Sequence, residues 1–185
     1  MASVLLNTSS YTTIASKTST VASKSTTLYI QGLITGQDED TGRTTVSIRL
    51  RIKTSSGTFT SSDNTSTLSV SPSSAKVSGS TATKSYNIGT VSTTTKTIAT
   101  WTALVFQHDD DGVMPTITVS DTSNVYGSTN ITVSGSFTVP DIEMSTMNIA
   151  VGGVMKKATP YIGIGGVWKK CKAYIGNGEQ WKKGK

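Results

Sequence analysis

A chain of 185 residues has room for one ordinary domain and a small appendage, and leaves little for a second large domain. Ser and Thr make up about a third of it, aromatic residues 6% and charged residues 15%, a mix that disfavours helices and suits strands and turns. The formal charge of +6 does not describe a uniform nucleic-acid-binding domain: residues 1–147 carry nine Lys or Arg against ten Asp or Glu, whereas residues 148–185 carry eight Lys against Glu179 alone.

In chain order, residues 1–10 lack the charged start and apolar run of a signal peptide, and no later stretch approaches the ~18 apolar residues of a membrane span. The expectation is a chain made in a reducing cytoplasm, without membrane insertion, whose single Cys171 forms no internal disulfide. Residues 1–27 are weakly patterned and read as an arm, with one strand at 4–6 and order supplied by a neighbour. A strand is predicted at 28–35, followed by a turn through Gly36, Asp38, Asp40 and Gly42. The next strand is the clearest. Val46, Ile48, Leu50 and Ile52 alternate with Ser47, Arg49, Arg51 and Lys53, giving one apolar face and one basic face.

Further strands are predicted at 67–71, 84–91, 97–107, 113–120 and 129–139, each bounded by Gly, Asp, Asn or Ser. In the last of these, Ile131, Val133, Gly135, Phe137 and Val139 share a face. Leu68, Val70, Tyr86, Ile88, Trp101, Leu104 and Phe106 join them as candidate core, the aromatic ones serving equally well as interface anchors. Such periodicity opposes disorder, the other reading of so polar a chain. The expected fold is all-β: an antiparallel β-sandwich, immunoglobulin-like or jelly-roll-like, over 28–143, followed by a small C-terminal β-meander over 148–185.

The meander is read from a repeat of 13 residues: NIAVGGVMKKATP at 148–160, YIGIGGVWKKCKA at 161–173 and YIGNGEQWKKGK at 174–185. Equivalent positions hold Ile149, Ile162 and Ile175, and then Met155, Trp168 and Trp181. The pairs Lys156-Lys157, Lys169-Lys170 and Lys182-Lys183 also align. The Gly-Gly steps at 152 and 165 and the Asn177-Gly178 step suit two-residue turns, which need positive φ. Eleven residues of strand plus two of turn account for the period, so each repeat is read as one strand of a four-stranded meander.

Two clusters are candidates for chemistry. In the first, His108 stands beside Asp109, Asp110 and Asp111 ahead of Gly112. The three carboxylates could hold calcium, His108 could act as a general base, or the segment could be a hairpin loop in which Asp caps turn amides. The loop reading is preferred, with no cofactor beyond that calcium. In the second cluster, Trp168 and Trp181 with Lys156, Lys157, Lys169, Lys170, Lys182 and Lys183 could stack bases and contact phosphates, or could attract an anionic cell-wall polymer. Sheet construction is the preferred alternative, with lysines guarding exposed strands and Trp and Met forming one buried face. Cys171 lies in a Lys-rich repeat and lacks a local histidine for nucleophilic chemistry. A hydrolase would need two converging carboxylates, yet Asp38, Asp40 and Asp109 to Asp111 all sit in turn-like contexts. The chain is therefore expected not to be an enzyme.

The order Trp101, His108, Asp111-Gly112, Gly135, Phe137 and Pro140 resembles a family of siphophage minor structural and tail-tip proteins, best over 101–142 and loosely over 28–142. Those proteins have a tryptophan strand, an H-x-x-D-G turn and a closing G-x-F-x-[LV]-P step. Asp141 departs from the Ile or Arg often found near that position. The terminal repeats resemble the Y-[IV]-G-[IV]-x-G-x-x-x-K-x repeats of tail and other structural proteins of phages infecting Gram-positive bacteria. These resemblances imply a virion component, most of all of the tail, with other virion proteins as partners; the weakly patterned arm and exposed strand edges lead to the expectation of a homo-oligomer or larger lattice, and the basic repeats to that of contact with host cell-wall polymer. Capsid or tail-tube decoration and a carbohydrate-binding module of a cell-wall-acting protein are the alternatives, and nucleic acid is not an expected partner.

Overall fold

The computed structural model describes residues 3–39, 41–71, 81–109, 112–142, 147–158, 160–170, 174–177 and 180–183. Among them the regular elements are all strands. These begin with β1 (Val4–Leu5), β2 (Thr12–Val21), β3 (Lys24–Asp38) and β4 (Arg43–Thr54). Next come β5 (Phe59–Ser61), β6 (Asn64–Ser71), β7 (Thr81–Tyr86), β8 (Gly89–Val91) and β9 (Lys96–Gln107). After β10 (Ile117–Tyr126) and β11 (Thr129–Thr138), six short strands follow: β12 (Met147–Val151), β13 (Val154–Ala158), β14 (Tyr161–Ile164), β15 (Val167–Lys170), β16 (Tyr174–Asn177) and β17 (Gln180–Lys183).

Two sheets make the sandwich, one ordered β2-β3-β4-β9 and the other β1-β11-β10-β6-β7, with the ribbon β5-β8 beside them. Every pairing is antiparallel except β1 on β11. Period-2 alternation dictates the core. Leu28, Ile30 and Ile34 of β3, and Val46, Ile48, Leu50 and Ile52 of β4, turn inward and are buried. They meet Ile117, Val119, Ile131, Val133 and Phe137 from the facing sheet. Each such side chain contributes about 1.5–3 kcal/mol on burial. The predicted core holds throughout, with Tyr86 packed against its margin.

The sheets approach closely where β11 passes over β2. A Cβ on Gly135 would lie 2.8 Å from the Ala15 Cβ and 3.0 Å from the Ile14 carbonyl oxygen, and backbone cannot swing aside as a flexible side chain can. Gly135→Ala is therefore expected to cost about 1–3 kcal/mol by overpacking. A urea midpoint equal to that of the wild type would refute this close approach.

Several sequence expectations change. Residues 12–27, read as part of an arm, form β2 and the start of β3, joined by a turn in which Ala22 and Ser23 take φ of 48° and 60°. Pairing with β3, together with burial of Ile14 and Val21, supplies the order that the Ser/Thr-rich pattern does not announce. β3 runs on to Asp38, and Gly36 lies within it beside a register shift. The turn proper is tied by Asp38, whose carboxylate accepts from the Thr41 amide at 3.1 Å and hydroxyl at 2.7 Å. Asp40 lies outside the described residues. The segment 84–91 breaks at Asn87 into β7 and β8, and the strand expected at 113–120 begins at Ile117 and reaches Tyr126.

The C-terminal repeats are not strands of one meander. They form separate hairpins, β12-β13, β14-β15 and β16-β17, so one 13-residue period is a whole hairpin and its connection. Gly152 and Gly153 take φ of 61° and 79°, and Gly165 and Gly166 take 60° and 78°, the paired positive values of a two-residue hairpin turn. Pro160, between the first and second hairpins, has no amide to extend a ladder.

Candidate functional site

The hairpins share one register. Ile149 pairs with Lys156, Ile162 with Lys169 and Ile175 with Lys182, while Ala150, Gly163 and Gly176 pair with Met155, Trp168 and Trp181. Each period thus sets a small residue opposite a bulky one. The Trp168 ring lies 3.8 Å from where a Gly163 Cβ would be, an ordinary van der Waals separation, so the indole lies over the glycine. In the second hairpin the described side chains form no buried face: Trp168 is 76% exposed, and Tyr161, Ile162, Ile164 and Val167 are exposed as well. At Trp168 this corrects the expectation that Trp and Met form one buried face; the side chains of Met155 and Trp181 lie outside what is described. A two-stranded hairpin has too few layers to enclose an indole. Lys156, Lys157, Lys169, Lys170, Lys182, Lys183 and Trp181 hold strand positions, whereas Cys171 and Gly178 lie outside the described residues.

The His108 loop is built as a turn. His108 is buried, its Nδ1 donates to the Gly112 carbonyl at 2.7 Å, and its Nε2 is 2.7 Å from the Thr44 hydroxyl. Both ring nitrogens are engaged, which leaves none facing a substrate as a general base would. Asp109 caps the same turn: its carboxylate accepts from the Val113 amide at 2.8 Å, and its backbone exchanges bonds with Val113 and Gly112. Ile142 then donates to the Gly112 carbonyl at 3.0 Å, tying the segment after β11 to this loop. Of the candidate calcium ligands, Asp110 and Asp111 lie outside the described residues, and Asp109 is spent on the turn.

Two shallow depressions open on the sandwich. One, of about 400 Å³, is lined by Asp63, Asn64, Thr65, Ser85, Tyr86 and Asn87. The other, of about 320 Å³, includes Asp38, Thr41 and Arg43. Among the described residues each is lined by one carboxylate, where glycoside hydrolysis uses two.

Two features escaped the sequence reading. The first is a polar patch inside the core, where Ser66 and Ser123 donate to the two carboxylate oxygens of Asp121, all three residues being buried. Burial pushes the Asp121 carboxyl up to about 6 against the pull of those two bonds, and pushes the nearby Tyr86 hydroxyl up to about 12. The signal was a carboxylate at an inward position of an alternating strand. The second is the setting of the predicted basic face of β4, where Arg49 lies over the Tyr11 ring and Lys53 stands near that of Tyr29. No protein-family model, curated protein or solved structure matches the chain.

Proposed function

We propose that the chain is a non-enzymatic structural component of a tailed-phage virion, most of all of its tail: a tail tip, fibre or tail-associated adhesin. The sandwich is its body, and the C-terminal hairpins attach it to another virion protein or to an anionic host surface. The observation that supports this reading is the exposure of the second hairpin, where Tyr161, Ile162, Ile164, Val167 and Trp168 are open to solvent within a segment carrying eight lysines. Isolated hairpins are marginal in water, and aromatic anchors beside cations are common where proteins meet partners. The phage setting comes from the resemblance of the repeats and of the 101–142 segment.

Deletion of residues 148–185 is the test. The sandwich is expected to keep its melting temperature, because among the described residues β12 to β17 pair within their own hairpins, while incorporation into particles or binding to cells falls several-fold. High salt should reproduce the loss of cell binding where charge dominates. Unchanged incorporation together with unchanged binding overturns the assignment. A capsid or tail-tube decoration role is separated from a tail role by imaging labelled virions. A carbohydrate-binding module, for which the open Trp168 ring is the supporting feature, is separated by titration with cell-wall glycan. Native mass measurement tests the accompanying homo-oligomer, and a monomer at high concentration counts against it.

A further inference from the structure

The outer face of the β2-β3-β4-β9 sheet carries a row of cations that meet no counter-charge among the described residues. Arg49, Arg51 and Lys53 alternate along β4 away from the core, about 7 Å apart from one to the next at the rise of a strand. Their partners are neutral. Arg49 Nε donates to Gln31 Oε1 at 2.9 Å, its guanidinium lies 3.8 Å from the centre of the Tyr11 ring, and Arg51 Nη2 donates to the Thr95 carbonyl at 3.1 Å. Lys53 Nζ stands 5.9 Å from the centre of the Tyr29 ring. Among the described residues the acids lie elsewhere: Asp38 and Glu39 at the end of β3, Asp63 and Asp109 in turns, Asp121 buried in the other sheet, and Asp141 after β11.

The row is also held in place. Gln31, which fixes Arg49, is itself fixed by donating to Thr13 at 2.9 Å, and the Tyr11 hydroxyl is 2.8 Å from that of Ser47. Burial and the neighbouring Arg51 hold the Arg49 guanidinium below its usual value, a cost that a counter-ion on this face would relieve. Three like charges kept close and pre-ordered by neutral neighbours suit an extended polyanion with a charge at each repeat.

We infer that this face binds a flexible polyphosphodiester chain lacking bases, laid along β4 with successive phosphates at Arg49, Arg51 and Lys53. Successive phosphorus atoms of an extended glycerol-phosphate chain span a length close to the spacing of the cations. Single-stranded nucleic acid has similar spacing, but its binders offer open aromatic faces to the bases, and here Tyr11 and Tyr29 already carry cations. The inference does not depend on the role assigned to the hairpins.

The test uses the full chain and a synthetic glycerol-phosphate oligomer, with an oligothymidylate and a glutamate oligomer of equal charge as comparison probes. The glycerol-phosphate oligomer is expected to shift the amide resonances of Tyr29, Arg51 and Lys53. The double variant Arg51→Gln/Lys53→Gln should bind about tenfold or more weakly, with the slope of log K against log salt reduced by about 1.4. Arg51→Lys/Lys53→Arg, which keeps both charges, should retain binding and thereby exclude loss of folding as the cause. Resonance shifts confined to 148–185, or an unchanged affinity in the double variant, overturn the inference. Tighter binding of the oligothymidylate replaces it with nucleic-acid stacking, and equal binding of the glutamate oligomer replaces it with an acidic protein partner.

Discussion

Phe137→Ala is expected to lower the unfolding free energy by about 3–5 kcal/mol, the range for removing a fully buried aromatic side chain. Phe137 is 0% exposed on β11 and meets Phe106 of the opposite sheet edge-to-face, with ring centroids 5.8 Å apart and planes at 89°. The pair bridges the two layers of the sandwich, and its geometry adds about 0.5–1.5 kcal/mol beyond burial. The same residue pairs with Val4 of β1 and Ile117 of β10, so the cavity would open beneath strands on both sides. Against total stabilities of about 5–15 kcal/mol such a loss is a large fraction of the whole. Urea denaturation of wild type and variant checks this. A loss below about 1 kcal/mol would mean that the two sheets do not close on this contact.

How much of this was legible in the sequence depended on local pattern. β4 was read nearly to its ends because Val46, Ile48, Leu50 and Ile52 alternate without interruption with polar residues. β2 was not, because Ile14, Ala15 and Val21 are scattered among Ser, Thr and Lys, and a register shift between Thr13 and Ala15 breaks the period. Its strand state comes from β3, a tertiary influence that no window of β2 contains. In the repeats, the Gly-Gly turns were correct but the strand length was not. A 13-residue period fits either one long strand with a turn or two short strands with two connections, and Pro160 was the one local sign favouring the second.

The functional surfaces divided in the same way. The basic row of β4 was visible as an outward face, yet its lack of counter-charges among the described residues appears only when register brings Tyr29 and Gln31 beside it and no acid. At the hairpins the sequence named the residues, and the fold reversed the expected burial of Trp168. His108 looked available because its acidic neighbours are adjacent in sequence. The groups it touches are Thr44, 64 residues earlier, and the Gly112 carbonyl. β10 was ended too early because Asp121, Ser123 and Asn124 read as turn formers, whereas Ile117, Val119, Asp121, Ser123 and Val125 all face inward.

That misread carboxyl sets a pH dependence. Its folded-state value of about 6 lies above the ordinary 3.8, so the folded chain holds a proton that the unfolded chain releases first. The stability linked to Asp121 is fully present below about pH 4 and is lost as pH rises through about 6. At about 1.4 kcal/mol per pH unit across that interval, the loss is about 3 kcal/mol. Asp121→Asn keeps the shape and removes the charge: its carbonyl oxygen can accept from one of Ser66 and Ser123, and its amide can donate to the hydroxyl of the other. The variant should therefore match the wild type near pH 4 and exceed it at pH 8, with a melting temperature higher by roughly 5–10 °C. Thermal unfolding of both proteins from pH 4 to pH 8 decides the matter. If the variant loses stability with rising pH as steeply as the wild type, the titrating group is not Asp121.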